Sequence, residues 1–282
     1  MARKIHPGGI TRQCAFQEAS PDAPRHVGLT KQHLFGNWLN SVFGRREGAR
    51  TKRTNYIQPA APIRIGGQAR MALRPGTILT NQVRVVCSGC NGGWMRELEE
   101  RARPTIRKMV LGEPCVLGPV EQLAIAAWGT QVAMIGEYES GDDNIICQEQ
   151  RDLFRKTVRP PAQWTLWVGA YKGLRHAFSI NQGGSWELRL RTADGLGIDR
   201  GKAVVTVFVV GQLVCLSLYS THAVPLAPYF TEPSLTKVWP IASPLLVWPT
   251  LSVGDLYIDG LQKHINGLFS FSLPPDWHSN RV

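Results

Sequence analysis

Residues 84–100, Arg-Val-Val-Cys-Ser-Gly-Cys-Asn-Gly-Gly-Trp-Met-Arg-Glu-Leu-Glu-Glu, leave the chain little choice of local structure. Val83, Val85 and Val86 read as a short apolar strand, Cys87 and Cys90 as a Cys-x-x-Cys knuckle, and the residues behind them as a helix. Trp94, Leu98 and Ala102 recur at i, i+4 and i+8, one apolar stripe on a 3.6-residue period. Glu97–Arg101 and Glu99–Arg103 are acid-first i,i+4 pairs, suited to an exposed helix face. Pro104 is expected to limit the helix. Asn91 follows the second cysteine directly, where strand gives way to helix. Two fixed elements hold its side-chain oxygen, and a metal beneath would hold it more tightly.

The chain of 282 residues is long enough for one large or two ordinary domains. Met1 to Arg12 is basic and polar, unlike a signal peptide, and the apolar runs at 203–218 and 241–251 are too short or interrupted to span a bilayer. A soluble, intracellular, cytoplasmic protein without a membrane partner is expected. The six cysteines are widely spaced except for one close pair, Cys87 and Cys90. That pattern favours a cytosolic metal knuckle over a disulfide framework, with Cys115, Cys147 and Cys215 as isolated buried thiols.

The net charge of +11 is unevenly placed. Residues 1–110 hold 19 lysines and arginines against 6 acids, whereas residues 111–282 hold 13 against 15. A basic first segment beside a near-neutral second one points to a polyanion, nucleic acid above all. Within the first segment, Arg45, Arg46, Arg50, Lys52, Arg53, Arg64, Arg70 and Arg74 face one acid, Glu47. Gly44, Gly48, Gly66, Gly67, Pro59, Pro62 and Pro75 lie among them, so 45–75 reads as a basic, loop-rich insertion that contacts phosphate without reading sequence. The alternative is a solvated loop with no ligand.

Residues 1–28 read as an irregular arm containing Cys14-Ala15-Phe16-Gln17. A short helix is expected after His33, with Leu34, Trp38 and Val42 on one face. Pro119 opens a strong helix to about Glu137, with Leu123, Ala127, Trp128, Val132 and Ile135 facing inward, and Asp152 to Lys156 a helical turn. The remainder is mostly β: Trp164–Tyr171, then Ala177–Ile180 and Trp186–Arg191 joined across a turn at 182–185. Ala203–Val210 and Leu213–Ser220 flank Gly211-Gln212, a two-residue hairpin of type II′. The aromatics of the Pro- and Trp-rich tail (Trp239, Trp248, Trp277) are read as packing under loops. His176, His222, His264 and His278 have no acid or nucleophile at a motif spacing, and Asp142-Asp143 reads as an exposed acidic turn.

Two stretches combine into a resemblance. Thr30-Lys-Gln-His-Leu-Phe-Gly-Asn-Trp-Leu39, followed by Val85-Val-Cys-Ser-Gly-Cys-Asn-Gly-Gly-Trp-Met95 with Leu98-Glu99 behind, resembles the HNH endonuclease family, in its bacterial and phage members with a Cys-x-x-Cys-Asn motif. The resemblance covers about residues 10–110. It implies an α+β chain: an N-terminal ββα-metal nuclease domain with a zinc knuckle at 1–110, then a helix and a mainly antiparallel β domain of unassigned role at 111–282. It implies hydrolysis of DNA, double-stranded rather than single, around one Mg²⁺ or Mn²⁺. By the same resemblance His33 is the general base, Asn91 a metal ligand, and Asn81 the middle asparagine that orients the base.

The chemistry agrees with those residue types. Cutting a phosphodiester needs a base working near neutral pH, which imidazole is, and a cation against developing charge. A hard cation takes oxygen ligands and needs only one or two protein groups. The chain departs from the family pattern in two places. Gln32 replaces the acid that usually precedes the histidine and ligates the metal; its amide offers an oxygen but no charge. Either another carboxylate serves, or activity is reduced, or the chain is an inactive nucleic-acid-binding module on the same fold. Gln17 stands where a second arm cysteine is usual, so a structural Zn²⁺ on Cys14, Cys87 and Cys90 lacks a fourth cysteine; His26 is the candidate, and metal-free buried thiols are the alternative.

Overall fold

The structure, a computed structural model, describes residues 13–18, 26, 28–43, 50–57, 70–75, 78–139, 145–175, 177–192, 195–221 and 234–270. Arg45, Arg46, Arg64, Asp142-Asp143, His176, His222, His278 and Trp277 lie outside the described residues. The chain is α+β, with mainly antiparallel sheets. Its first part comprises β1 (Leu29–His33), α1 (Trp38–Phe43), β2 (Arg50–Ile57), β3 (Arg70–Pro75), β4 (Gln82–Cys87), α2 (Ser88–Gly92) and α3 (Trp94–Leu111). There follow β5 (Cys115–Leu117), α4 (Pro119–Gly136), α5 (Gln148–Thr157), β6 (Trp164–Tyr171), β7 (Ala177–Thr192), β8 (Gly195–Val210) and β9 (Leu213–Ser220). The last are β10 (Thr236–Trp239), β11 (Leu246–Trp248), β12 (Ser252–Val253) and α6 (Asp255–Ser270).

The large sheet runs β10-β6-β9-β8-β7-β2-β3, with β12 parallel to the end of β6. Its central strands carry continuous apolar runs because both faces are covered. Successive side chains of β8 alternate: Val204, Phe208 and Val210 join the core under α4, and Val205, Val207 and Val209 join the cluster under α6. The α4 helix is buried on every side from Ile125 to Gly136, held between α3 and the sheet, as an all-round apolar helix must be. One core runs from Cys14 to Trp248 and includes residues on both sides of position 110.

The Gly211-Gln212 hairpin forms as expected, with Gly211 at φ +56° and no positive φ at Gln212, which excludes the type I′ alternative. Three expectations are corrected. The first two are strands. The turn expected at 182–185 does not exist, and β7 is one strand of 16 residues paired along its length with β8. Gly183 marks a close approach: an added Cβ would stand 2.6 Å from Ile145 Cδ1. The basic insertion also contains strands. β2 and β3 form an antiparallel pair, and β2 joins β7 in parallel. Thr51, Thr54, Tyr56 and Ile57 supply β-formers, and the glycines lie outside both strands. Arg50, Lys52, Arg53, Arg70 and Arg74 therefore fall on strand backbone.

The third correction is α3, which continues through Pro104 to Leu111. Pro104 is exposed, so the carbonyl one turn back that loses its partner faces water. The helix ends at Gly112, in the left-handed conformation. The helix after His33 begins only at Trp38; Leu34 is buried ahead of it, behind β1.

Phe208 ties the turn after β1 to the sheet. Its ring meets Phe35 at 5.1 Å and Trp128 at 5.3 Å, both edge-on, and all three are essentially buried. Phe208→Ala is expected to lower unfolding free energy by about 3–5 kcal/mol. Denaturant titration followed by circular dichroism measures it, and a loss below about 1 kcal/mol would mean the site and the sheet are packed independently.

Candidate metal centre and active site

β1 and β4 pair antiparallel, Leu29 opposite Cys87 and His33 opposite Gln82, with a register shift between Thr30 and Gln32. β4 delivers Cys87 to the N-terminus of α2, where its sulfur accepts the Cys90 N–H at 3.3 Å. The arm returns to this junction. Ala15 N–H donates to Val85 C=O at 2.7 Å, and Cys87 N–H donates to Cys14 Sγ at 3.3 Å. The Phe16 ring meets Trp94 at 4.9 Å, and Trp94 meets Phe154 of α5 at 5.7 Å.

Cys14, His26, Cys87 and Cys90 form a cluster whose ligand atoms all lie within 4.8 Å of one another. Zinc bond lengths make the edges of a tetrahedral site ~3.8 Å between sulfurs and ~3.5 Å between sulfur and nitrogen. Cys14 and Cys90 sulfurs are 3.9 Å apart, and Cys90 Sγ is 3.5 Å from His26 Nδ1. The cluster could hold a metal ion such as zinc. Hydrogen bonding from Cys90 brings Cys14 down to about 4 against the burial that raises it, with Cys87 N–H and His26 adding to the shift. Cys90 is raised, by that same bond and by burial. A thiolate is therefore already favoured at the position where a metal needs one. Of the other cysteines, Cys215 is buried as expected, Cys115 is half-buried and Cys147 is exposed.

The second site lies on the other side of Asn91. A pocket there is lined by Gln32, His33, Gly36, Asn91 and Glu99, with Lys31 and Arg96 exposed at its rim. His33 is half-buried, and desolvation lowers its pKa, favouring neutral imidazole. Gln82 contacts its Nε2 at 2.8 Å. Gln82 was not legible in the sequence, because it stands opposite His33 across a strand pair whose register local sequence does not specify. Asn81 acts through its backbone, its carbonyl accepting the Leu34 N–H at 3.0 Å.

Hydrogen-bond logic fixes two amides. The Thr30 hydroxyl donates to Val86 C=O at 3.2 Å, so its oxygen must accept from Asn91 Nδ2 at 2.9 Å. Asn91 Oδ1 is thereby turned away and has no protein donor among the described residues. Gln32 is buried and directs Nε2 at two groups that only accept, His33 C=O at 2.9 Å and Glu99 Oε1 at 3.3 Å. A carboxylate at position 32 would set oxygen against oxygen at both contacts.

Glu99 is the residue that the sequence pattern misplaced. Instead of pairing with Arg103 on an exposed face, it turns into the pocket, where Gln32 and Gln131 Nε2 both donate to Oε1 at 3.3 Å. Arg103 sits over the Trp38 ring at 5.5 Å. Burial raises the Glu99 pKa against the hydrogen bonds of Gln131 and Gln32 and the charge of Arg103. The exposed i,i+4 pair of α3 is Arg96–Glu100, at 2.8 Å.

Compared with known proteins, the chain matches no family model, no curated sequence and no solved structure at a significant level. No helix among the described residues is long and apolar enough to cross a membrane.

Two measurements follow from this geometry. Elemental analysis of purified protein should give one zinc per chain, falling well below that in Cys14→Ser; well under one zinc in the parent chain would contradict the cluster as a metal site. Gln32→Glu should lower the stability of the protein at pH 7 by about 1.5–3 kcal/mol, the range for a lost hydrogen bond to a charged group. Unchanged thermal and denaturant stability would show that the amide does not face two acceptors.

Proposed function

We propose that the chain is a divalent-metal-dependent endonuclease of the ββα-metal (HNH) type that hydrolyses phosphodiester bonds in DNA, with His33 as general base. One observation carries the reading. A His33 ring anchored at Nε2 and an outward-turned Asn91 oxygen share a pocket that adjoins a zinc-type Cys/His cluster. They stand on two antiparallel strands and the helical segment that follows, β1, β4 and α2, the order this family uses. The concentration of basic residues before position 110 suits a polyanion, and Lys31 and Arg96 suit the phosphate at the rim.

In this reading the Gln82 amide N–H donates to His33 Nε2, which places the proton of the neutral ring on Nδ1 and makes Nε2 the basic nitrogen that takes a proton from water, Gln82 yielding its contact as that water enters. The water oxygen forms the new bond to phosphorus, one P–O bond to the sugar breaks, and the leaving oxygen is protonated from solvent. Asn91 would offer Oδ1 to Mg²⁺ or Mn²⁺, which when bound stabilises charge on the phosphate and leaving oxygens. The hydrogen bond from Leu34 N–H to Asn81 C=O holds the end of β1, and with it His33, in place. Partial burial keeps the imidazole in its proton-accepting form. Cys14, His26, Cys87 and Cys90 would hold a structural zinc that takes no part in the chemistry.

The test is conversion of supercoiled plasmid to nicked or linear product with Mg²⁺ or Mn²⁺. His33→Ala should reduce the rate by about 10²–10⁴-fold. Cleavage indifferent to His33→Ala would contradict the assignment of the base. Salt-sensitive retention of DNA with no cleavage under either metal would instead favour the second reading, a nucleic-acid-binding module, for which Gln32 in place of an acid is the motivating observation.

A further inference from the structure

A site that binds a divalent cation through neutral oxygens alone would bind it weakly, and position 32, where the family resemblance places the acid, is an amide here. Glu99 is the carboxylate in the wall of the pocket. It is half-buried and forms no ion pair among the described residues. A carboxylate turned into a pocket is normally paired directly or coordinates a metal, and Arg103, whose charge reaches Glu99, is stacked on Trp38 instead of forming a direct pair with it.

Its two oxygens are not equivalent. Gln32 and Gln131 both donate to Oε1, fixing the carboxylate plane from β1 on one side and α4 on the other. Oε2 has no hydrogen-bond partner among the described residues. The space before it is kept open by Gly36, at φ +72° on the turn after β1. An added Cβ there would stand 2.8 Å from Oε2. Asn91 Oδ1, freed by the Thr30 hydrogen bond, is the other unclaimed oxygen of this wall. One charged and one neutral oxygen, with room for water around them, is a ligand set that a hard cation accepts.

We propose that Glu99, rather than Gln32, supplies the charged oxygen that binds the cation of the His33–Asn91 pocket, an inference that rests on the reading of this site as a metal-dependent hydrolase. The missing acid is thus replaced from the helix, and an amide at position 32 is what a carboxylate at position 99 requires beside it. A second carboxylate on the strand would repel the first.

The experiment is a titration of the zinc-loaded full chain with Mn²⁺, followed by electron paramagnetic resonance of the free ion. The parent chain should bind one Mn²⁺ beyond its zinc. Glu99→Gln preserves shape and removes the charge, and should weaken Mn²⁺ on the order of tenfold or more with zinc content unchanged. Glu99→Asp, which keeps the charge on a shorter arm, should fall between them and carries the test if the glutamine variant does not fold. Parent-like Mn²⁺ affinity in the Glu99 variants, with affinity lost in Asn91→Ala, would overturn the assignment of Glu99 and leave the hydrolase reading standing. Absence of any bound Mn²⁺ in the parent chain would overturn both.

Discussion

The Cys14–His26–Cys87–Cys90 cluster is the constraint on which the rest of the N-terminal structure depends. It joins Cys14 and His26, which precede β1 in the chain, to a strand-to-helix junction, closing a span of 73 residues between Cys14 and Cys87. Closing such a loop costs roughly 4 kcal/mol of chain entropy, more than one thiol hydrogen bond repays. A metal ion repays it easily. The Phe16–Trp94–Phe154 stack and the hydrogen bonds from Gln148 to Ala15 and Gln17 carbonyls then extend the anchor to α5. Asn91 follows Cys90 directly, so the cluster that pins the arm also sets the height and direction of the Asn91 amide.

On the opposite side of that amide, the pocket is organised by donor and acceptor counting. Thr30 has one proton, given to Val86, and this decides which end of Asn91 faces the cavity. Gln32 meets two acceptors and therefore presents nitrogen to both. A glutamine at position 32 is then a requirement of its surroundings, because Glu99 occupies the neighbouring space. Gln131 extends the arrangement into α4, so the central helix of the fold also positions the wall of the pocket.

Much of this was legible in the amino-acid order wherever a residue's neighbours in sequence are also its neighbours in space. The knuckle, the α4 helix opened by Pro119 and the Gly211 hairpin are of that kind. Cys14 and His26 were nominated as ligands through the family resemblance, and the fold brings their ligand atoms to Cys87 and Cys90. Glu99 was not legible, since its spacing to Arg103 suggests a surface pair and only the packing of β1 and α4 against α3 turns it inward. Gln82 likewise acts across a strand pair whose register local sequence does not specify. The strands 50–57 and 70–75 were hidden beneath their own charge, because edge pairing with β7 is a non-local property. Gly183 reads as a turn in isolation and as a contact with Ile145 in the folded chain.

In the proposed site two metal environments adjoin at Asn91, one of sulfur and nitrogen and one of oxygen. Anomalous diffraction from crystals soaked in Mn²⁺, collected above and below the zinc and manganese edges, addresses that claim directly. The expected result is a zinc peak within the Cys14, His26, Cys87 and Cys90 cluster and a separate manganese peak in contact with Asn91 Oδ1 and Glu99 Oε2. A cysteine cluster without zinc density, or manganese located away from Asn91 and Glu99, would contradict it.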